Sequence, residues 1–293
     1  MNPMKLTMIT PSYGPDFERC KLLCESFDRH VDESIRHVLI VDRRDRAQFA
    51  PLASTRREIR VVEEIVPWWI KRLPFARKWW LSMVGVPVRN WILQQLVKLS
   101  VDQIEGADGY IFVDSDVSFF RRFNQSELVS GNALKLFRVP DVANYPTHWP
   151  WHRTAGKLLG LPIKDYYGAT YIGNQITWRR DCLQQLHKRI ESVHGMSWQR
   201  AVCNQWHLSE YILYGIFVEQ VLGIEKSGHY ASAEPLCHIS WDYKMETPEQ
   251  VEFFFKEVKP YHNAVMVSAK HNIEPKSYIH LLEKLEKEAH SNG

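Results

Sequence analysis

The feature that most constrains this chain is the alternation, through its first half, of short apolar runs with segments of helical period. Each run stops abruptly at polar residues. Residues 5–10 (KLTMIT) and Arg36–Val41 (RHVLIV) bracket Phe17, Cys20, Cys24, Phe27 and Val31, apolar positions three and four apart that line one helix face. Pro15 and Asp16 suit the start of that helix. A strand at 59–62, a helix at 89–99 and a wholly apolar run at 109–113 (GYIFV) repeat the scheme. Parallel neighbours need a crossover, so such units close as a mainly parallel sheet with helices on its faces. The expectation is an α/β, Rossmann-like fold with a mixed, mainly parallel sheet. Ligands of open α/β sheets bind beyond the carboxyl ends of the strands. There this sequence places Thr10, Pro11 and Ser12, then Asp42, then Asp114 and Asp116, which should converge on one cleft.

The second half is less regular. Strands are expected at 134–139, 170–178 and 266–269, and helices at 179–193, 209–222, 247–258 and after Pro275. No repeat or linker interrupts the 293 residues, and 45% apolar with 24% charged residues is the make-up of a folded domain. A balance of 37 Lys and Arg against 34 Asp and Glu gives no general reason to bind nucleic acid. Cys20, Cys24, Cys182, Cys203 and Cys237 are odd in number and lack C-x-x-C or zinc spacing, so reduced, packed thiols are expected. The first apolar run is too short for a secretory signal, and no run reaches the roughly 18 residues that span a bilayer. A cytoplasmic protein is the expectation.

The run IFVDSDVSFF sets Asp114 and Asp116 one residue apart just past an apolar strand. Two carboxylates so placed can share a hard divalent ion, Mn²⁺ or Mg²⁺, with the oxygens of a diphosphate. The alternative is an exposed Asx turn. On the preceding helical segment, Gln94 or Gln95 and Lys98 share a side, so Lys98 either approaches a diphosphate or belongs to a solvated face. His238 is either a third metal ligand or a hydrogen-bonded core histidine. Glu210 follows Ser209, a good N-cap, and is either a capping carboxylate or a general base for an acceptor hydroxyl.

The segments TPSYGPDFERCKLLCESFDRH, VDRRDRAQFAPLA, RNWILQQLVKL, FVDSDVSFF, LLGLP, SEYILYG and CHISW, in that order, resemble a bacterial family of GT-A-like glycosyltransferases largely catalogued as a domain of unknown function. The resemblance covers residues 4–242. It implies a GT-A-like catalytic domain over 1–242, with a nucleotide-sugar-binding half at 1–122 and an acceptor-side half at 123–242, followed by a helical extension at 243–293. It further implies that Thr10, Pro11, Ser12 and Tyr13 line the nucleobase and ribose, that Asp42 or Asp45 contacts the base, and that Asp114 and Asp116 hold the metal. The activity implied is sugar transfer from a nucleotide-sugar donor to a saccharide or lipid-linked saccharide, in surface polysaccharide synthesis. Two other functions fit the residues: a phosphatase-type hydrolase with Asp114 as nucleophile and Asp116 as acid, and a non-catalytic carbohydrate-binding protein.

Residues 67–91, of which 67–87 depart from the family pattern, have a composition of their own. They gather Trp68, Trp69, Trp79, Trp80 and Trp91 among Lys71, Arg72, Arg77 and Lys78. Rings and cations together suit either peripheral contact with the inner face of the membrane or an aromatic flap over the acceptor groove.

Overall fold

The structure, a computed structural model, describes residues 4–72, 79–140 and 145–291. Leu6–Pro11, Arg36–Val41, Arg57–Val61 and Gly109–Phe112 form the parallel part of a five-stranded sheet, and Ile176–Arg179 adds an antiparallel strand beside Gly109–Phe112. Leu6–Pro11 lies in the middle of the order. Its side chains alternate between two buried faces, so no charged residue alternates with its apolar ones and its two threonines are buried. On one face Leu6, Met8 and Ile111 meet Leu23 and Phe27 of the Phe17–His30 helix. On the other, Ile9, Val38 and Phe112 meet Ile92 and Leu96 of the Asn90–Leu99 helix. Each of these side chains, fully withdrawn from water, contributes about 1.5–3 kcal/mol.

The chain is thus α/β, with mixed sheets flanked by helices. Three departures from the sequence expectation bear on the site. The strand expected over 170–178 is divided: Ala169–Thr170 pairs with Val139–Pro140, and Ile176–Arg179 pairs in the main sheet. Between them Gln175 sits at φ 57°, a left-handed backbone that no strand can carry through. The late strand is Ala264–Met266, ended by Ser268, whose side chain accepts from the Lys270 amide. It lies between Cys237–Ile239 and Val117–Phe119, so residues beyond 243 are built into the sheet that carries the Asp114–Asp116 turn. The helix expected over 209–222 is α-helical at Glu210–Ile216 and a π-turn at Phe217–Leu222.

Residues 70–89 hold a small antiparallel sheet of Ile70–Arg72, Trp79–Ser82 and Val88–Arg89. Ile70, Trp80, Ser82 and Val88 face inward and are buried, whereas Lys71, Trp79 and Leu81 face outward. Arg77 and Lys78 lie outside the described residues. Among those described, no helix is long and apolar enough to cross a membrane.

Candidate functional site

Past Gly109–Phe112 the chain turns at Asp114 and returns as Val117–Phe119, with the Val117 amide donating to the Asp114 carbonyl at 3.2 Å. This turn projects both carboxylates at the carboxyl end of the sheet. Asn174 fixes the first: its Oδ1 accepts from the Asp114 amide at 3.0 Å, and its Nδ2 lies 3.4 Å from Asp114 Oδ2. Asp116 accepts from the Ala269 amide through Oδ2 at 2.9 Å, while its Oδ1 is buried with no hydrogen-bond partner among the described residues. Burial and the nearby Asp114 charge push the Asp116 carboxyl up to about 7, against the lowering effect of the Ala269 amide. Asp16 joins the same field: burial raises its carboxyl, Arg19 opposes the rise and Asp114 adds to it. Asp16, Asp114 and Asp116 therefore lie in one acidic region at the carboxyl end of the sheet.

Behind Asp114 lies a buried cation. The Asn90–Leu99 helix delivers Lys98 from its last turn, and the Glu210–Ile216 helix delivers Glu210 from its first. Lys98 Nζ is 2.9 Å from Glu210 Oε1 and 3.7 Å from Asp114 Oδ1, and it donates to the Tyr211 hydroxyl at 2.9 Å. Burial alone lowers an ammonium, yet Glu210, Tyr211 and Asp114 together hold Lys98 well above its ordinary value. It is charged throughout the neutral range. Gln95 Oε1 accepts from the Glu210 amide at 3.2 Å, and the Ser209 hydroxyl accepts from the Ile212 amide at 3.4 Å. Two of the helix's first-turn donors are thereby satisfied.

The residues expected around a nucleotide are distributed less uniformly. Thr10 is fully buried, its Oγ1 3.0 Å from His37 Nε2, and belongs to the core. Pro11 and Ser12 are half-buried at the cleft, with the Ser12 amide donating to the Ile40 carbonyl, and Tyr13 is exposed. Asp45 accepts from the Gly14 amide at 2.9 Å, joining the first loop to the second. A Cβ at Gly14 would come within 3.2 Å of Asp45 Oδ1, so a larger residue there would ask the Asp45 side chain to give by a few tenths of an ångström. Asp42 pairs with Arg72 and, at 3.3 Å, with Arg44. Gln95 and Lys98 turn inward and are buried, while Gln94 is exposed.

His238 is not brought to the acidic pair. Its Nε2 lies 3.1 Å from the Phe254 carbonyl and its ring stacks on Phe254 at 4.4 Å, whereas the preceding Cys237 thiol is pushed up by burial and by Asp116 and Asp114. Strand alternation sends the two side chains opposite ways. Among the described residues no group of three or more His, Cys, Asp or Glu is arranged to hold a metal. Asp114 and Asp116 could hold one only with oxygens from a ligand.

Asp16, Asn174 and the Ala269 amide are site residues that spacing did not disclose. Asp16 had a signal, since it follows the first strand end, but it reads equally as a helix start. A separate hollow of about 440 Å³, lined by Arg36, Arg46, Arg56 and Arg57, lies at the amino ends of the strands. Arg56 and Arg57 there are tied to main-chain carbonyls.

Fold and site together define an α/β protein with an acidic cleft, backed by a buried lysine, at the carboxyl end of a mainly parallel sheet. The chain belongs to a family of unknown function, DUF6492, whose model matches residues 4–288. No curated protein matches it. Membership of that family assigns no activity, so function must be argued from the cleft.

Proposed function

We propose that this protein is a metal-dependent glycosyltransferase of GT-A-like architecture, taking a sugar from a nucleotide-sugar donor to a saccharide or lipid-linked saccharide. The observation that carries the reading is Asp116, a carboxylate with one buried oxygen lacking a partner, beside Asp114 at the cleft of a mainly parallel sheet. A hard divalent ion fits that donor set, because it takes carboxylate oxygens and accepts ligand oxygens for the remainder. Asp114 and Asp116 would hold Mn²⁺ or Mg²⁺, which when bound would neutralise charge on a leaving diphosphate.

The other roles follow from the chain's own geometry. Tyr13, exposed beside the cleft, offers a ring to a nucleobase. Asn174 and Lys98 orient Asp114. Glu210 is 3% exposed and paired with Lys98, so its carboxylate is not offered to an acceptor hydroxyl. In this reading it is a positioning residue that fixes Lys98, and no general base is assigned to it.

The test is thermal denaturation with nucleoside diphosphates, with and without Mn²⁺. A ligand present at 100 times its dissociation constant stabilises by about 2.7 kcal/mol. Unfolding entropy of about 2.1 cal/mol/K per residue then converts this to a rise of about 4 °C. Asp116→Asn should abolish the Mn²⁺-dependent part with the fold intact. Failure of every nucleoside diphosphate to raise the melting point, or persistence of the Mn²⁺ effect in the variant, would sink the reading.

A further inference from the structure

We propose that the outward face of the small antiparallel sheet, together with Trp206, is a docking surface for an anionic lipid bilayer. The inference stands apart from sugar transfer. Strand pairing sets Lys71 opposite Leu81 and Trp79 opposite Arg89. The Trp79 ring is 6.3 Å from that of Trp206, and the Arg89 guanidinium lies over Trp206 at 4.0 Å. The turn that follows Trp79–Ser82 reaches the same place, since a Cβ at Gly85 would be 3.3 Å from Asn204 Oδ1. It presents Met83 at 60% exposure, its amide donating to the Trp69 carbonyl beside Trp68, which is 70% exposed; Trp206 is 60% exposed. Large apolar side chains this open, clustered around cations, are the signature of an interaction surface.

Charge decides the occupant. Across 67–72 and 79–91, which carry this face, and 198–206, which lead to Trp206, the sequence has no Asp or Glu, although the whole chain has 34. Lys71 and Arg89 therefore face outward without an acidic neighbour from their own segments. Rings that sit at headgroup depth beside unopposed cations match a surface that is apolar below and negative above. A second copy of the chain would set like charges against each other across a two-fold axis. The face also adjoins the cleft: Trp91 Nε1 donates to the Leu208 carbonyl at 2.7 Å, two residues before Glu210. A docked protein would hold its acidic cleft near the lipid headgroups.

The experiment is co-sedimentation of the full chain with vesicles of phosphatidylcholine alone and of phosphatidylcholine with equal phosphatidylglycerol, containing no nucleotide, sugar or metal. Binding should require the anionic lipid and weaken with salt. Lys71→Glu should reduce it at least tenfold, given about fivefold for each basic residue lost near such a surface. Met83→Ser and Trp206→Ser, both at exposed positions, should each weaken binding while the melting point holds. No binding to anionic vesicles at low salt, equal binding to neutral vesicles, or unchanged binding in all three variants overturns the proposal. So does a dimer in sedimentation velocity that Trp206→Ser dissociates, which would make the occupant a second copy. Because the assay contains no donor, its failure leaves the transferase reading untouched, and the converse holds as well.

Discussion

Replacing Lys98 by Met removes one half of an ion pair whose side chains are only 11% and 4% exposed. Glu210 would then be left buried with a charge and no cation within reach. Stranding one partner of a buried pair costs about 3–5 kcal/mol, much more than the pair itself contributes relative to an apolar replacement. With about 2.1 cal/mol/K of unfolding entropy per residue, 293 residues give about 0.6 kcal/mol/K. The melting point should therefore fall by about 5–8 °C. Asp114 also loses a neighbour, but its side chain is 37% exposed and solvent screens most of that loss. Adding Glu210→Gln to Lys98→Met removes the stranded charge, so the double variant should regain most of the stability, with a coupling of about 2 kcal/mol or more in the cycle. Glu210→Gln alone should cost less, because Lys98 keeps the Tyr211 hydroxyl and Asp114. A lysine raised above its unfolded value stabilises fully below that value and loses the contribution as pH rises through the folded one. The pair should thus hold across neutral pH and weaken only above about pH 10.4. Denaturation melts of the four proteins test this. A Lys98→Met protein melting within a degree of the parent, or a double variant as weak as the sum of the singles, would refute the reasoning.

Asp116 should show the opposite pH behaviour from an ordinary stabilising carboxylate. Its folded value of about 7 lies above the unfolded one, so the folded state holds the extra proton between the two. Stability is then greatest below about pH 4 and is lost as pH climbs towards 7, by up to about 4 kcal/mol. In chelator, Asp116→Asn should melt higher than the parent at pH 8 and level with it at pH 4; equal differences at both would count against the buried carboxylate. Gly215→Ala places a methyl 2.2 Å from the ring of Tyr171, which is fully buried and donates to Glu219 at 2.7 Å. Neither neighbour can give way freely, so a loss of about 1–3 kcal/mol is expected, measurable in urea as a lower midpoint with unchanged slope.

Much of this architecture was legible because local patterning and tertiary demand agree in the first half. Residues 6–10, 37–41 and 109–113 are mostly apolar and show no solvent-face alternation, the pattern of strands in a sheet covered on both sides. Helix starts with ordinary chemistry were equally clear, as at Thr247 with Gln250, where the capping box is formed. The Trp149–Leu159 helix was missed although Pro150 lies in its first turn and Gly160 ends it in the left-handed conformation, because its aromatic residues obscured the helical period. At the site, the convergence of the Pro11–Ser12 loop with Asp114 and Asp116 follows from strand direction alone. The state of each side chain does not: periodicity cannot distinguish a Lys98 facing solvent from one facing Glu210, since that depends on a helix far along the chain. His238 takes the hydrogen-bonded core alternative, against the Phe254 carbonyl, for a related reason. Alternation along a three-residue strand settles its direction, but no sequence pattern says which face looks towards the carboxylates.

The strand Ala264–Met266 has a consequence in time. The Ala269 amide that anchors Asp116 lies 153 residues further along the chain. At about 5–20 residues per second, a ribosome needs about 8–30 s to cover that distance. Throughout that interval the Asp114–Asp116 turn has neither its neighbouring strand nor its backbone donor. The parallel strands before it can already pair, whereas the acidic cleft is among the last parts of the molecule to acquire its native surroundings. A chain interrupted before residue 264 would therefore contain all five strands of the main sheet but lack the environment that sets the Asp116 carboxyl.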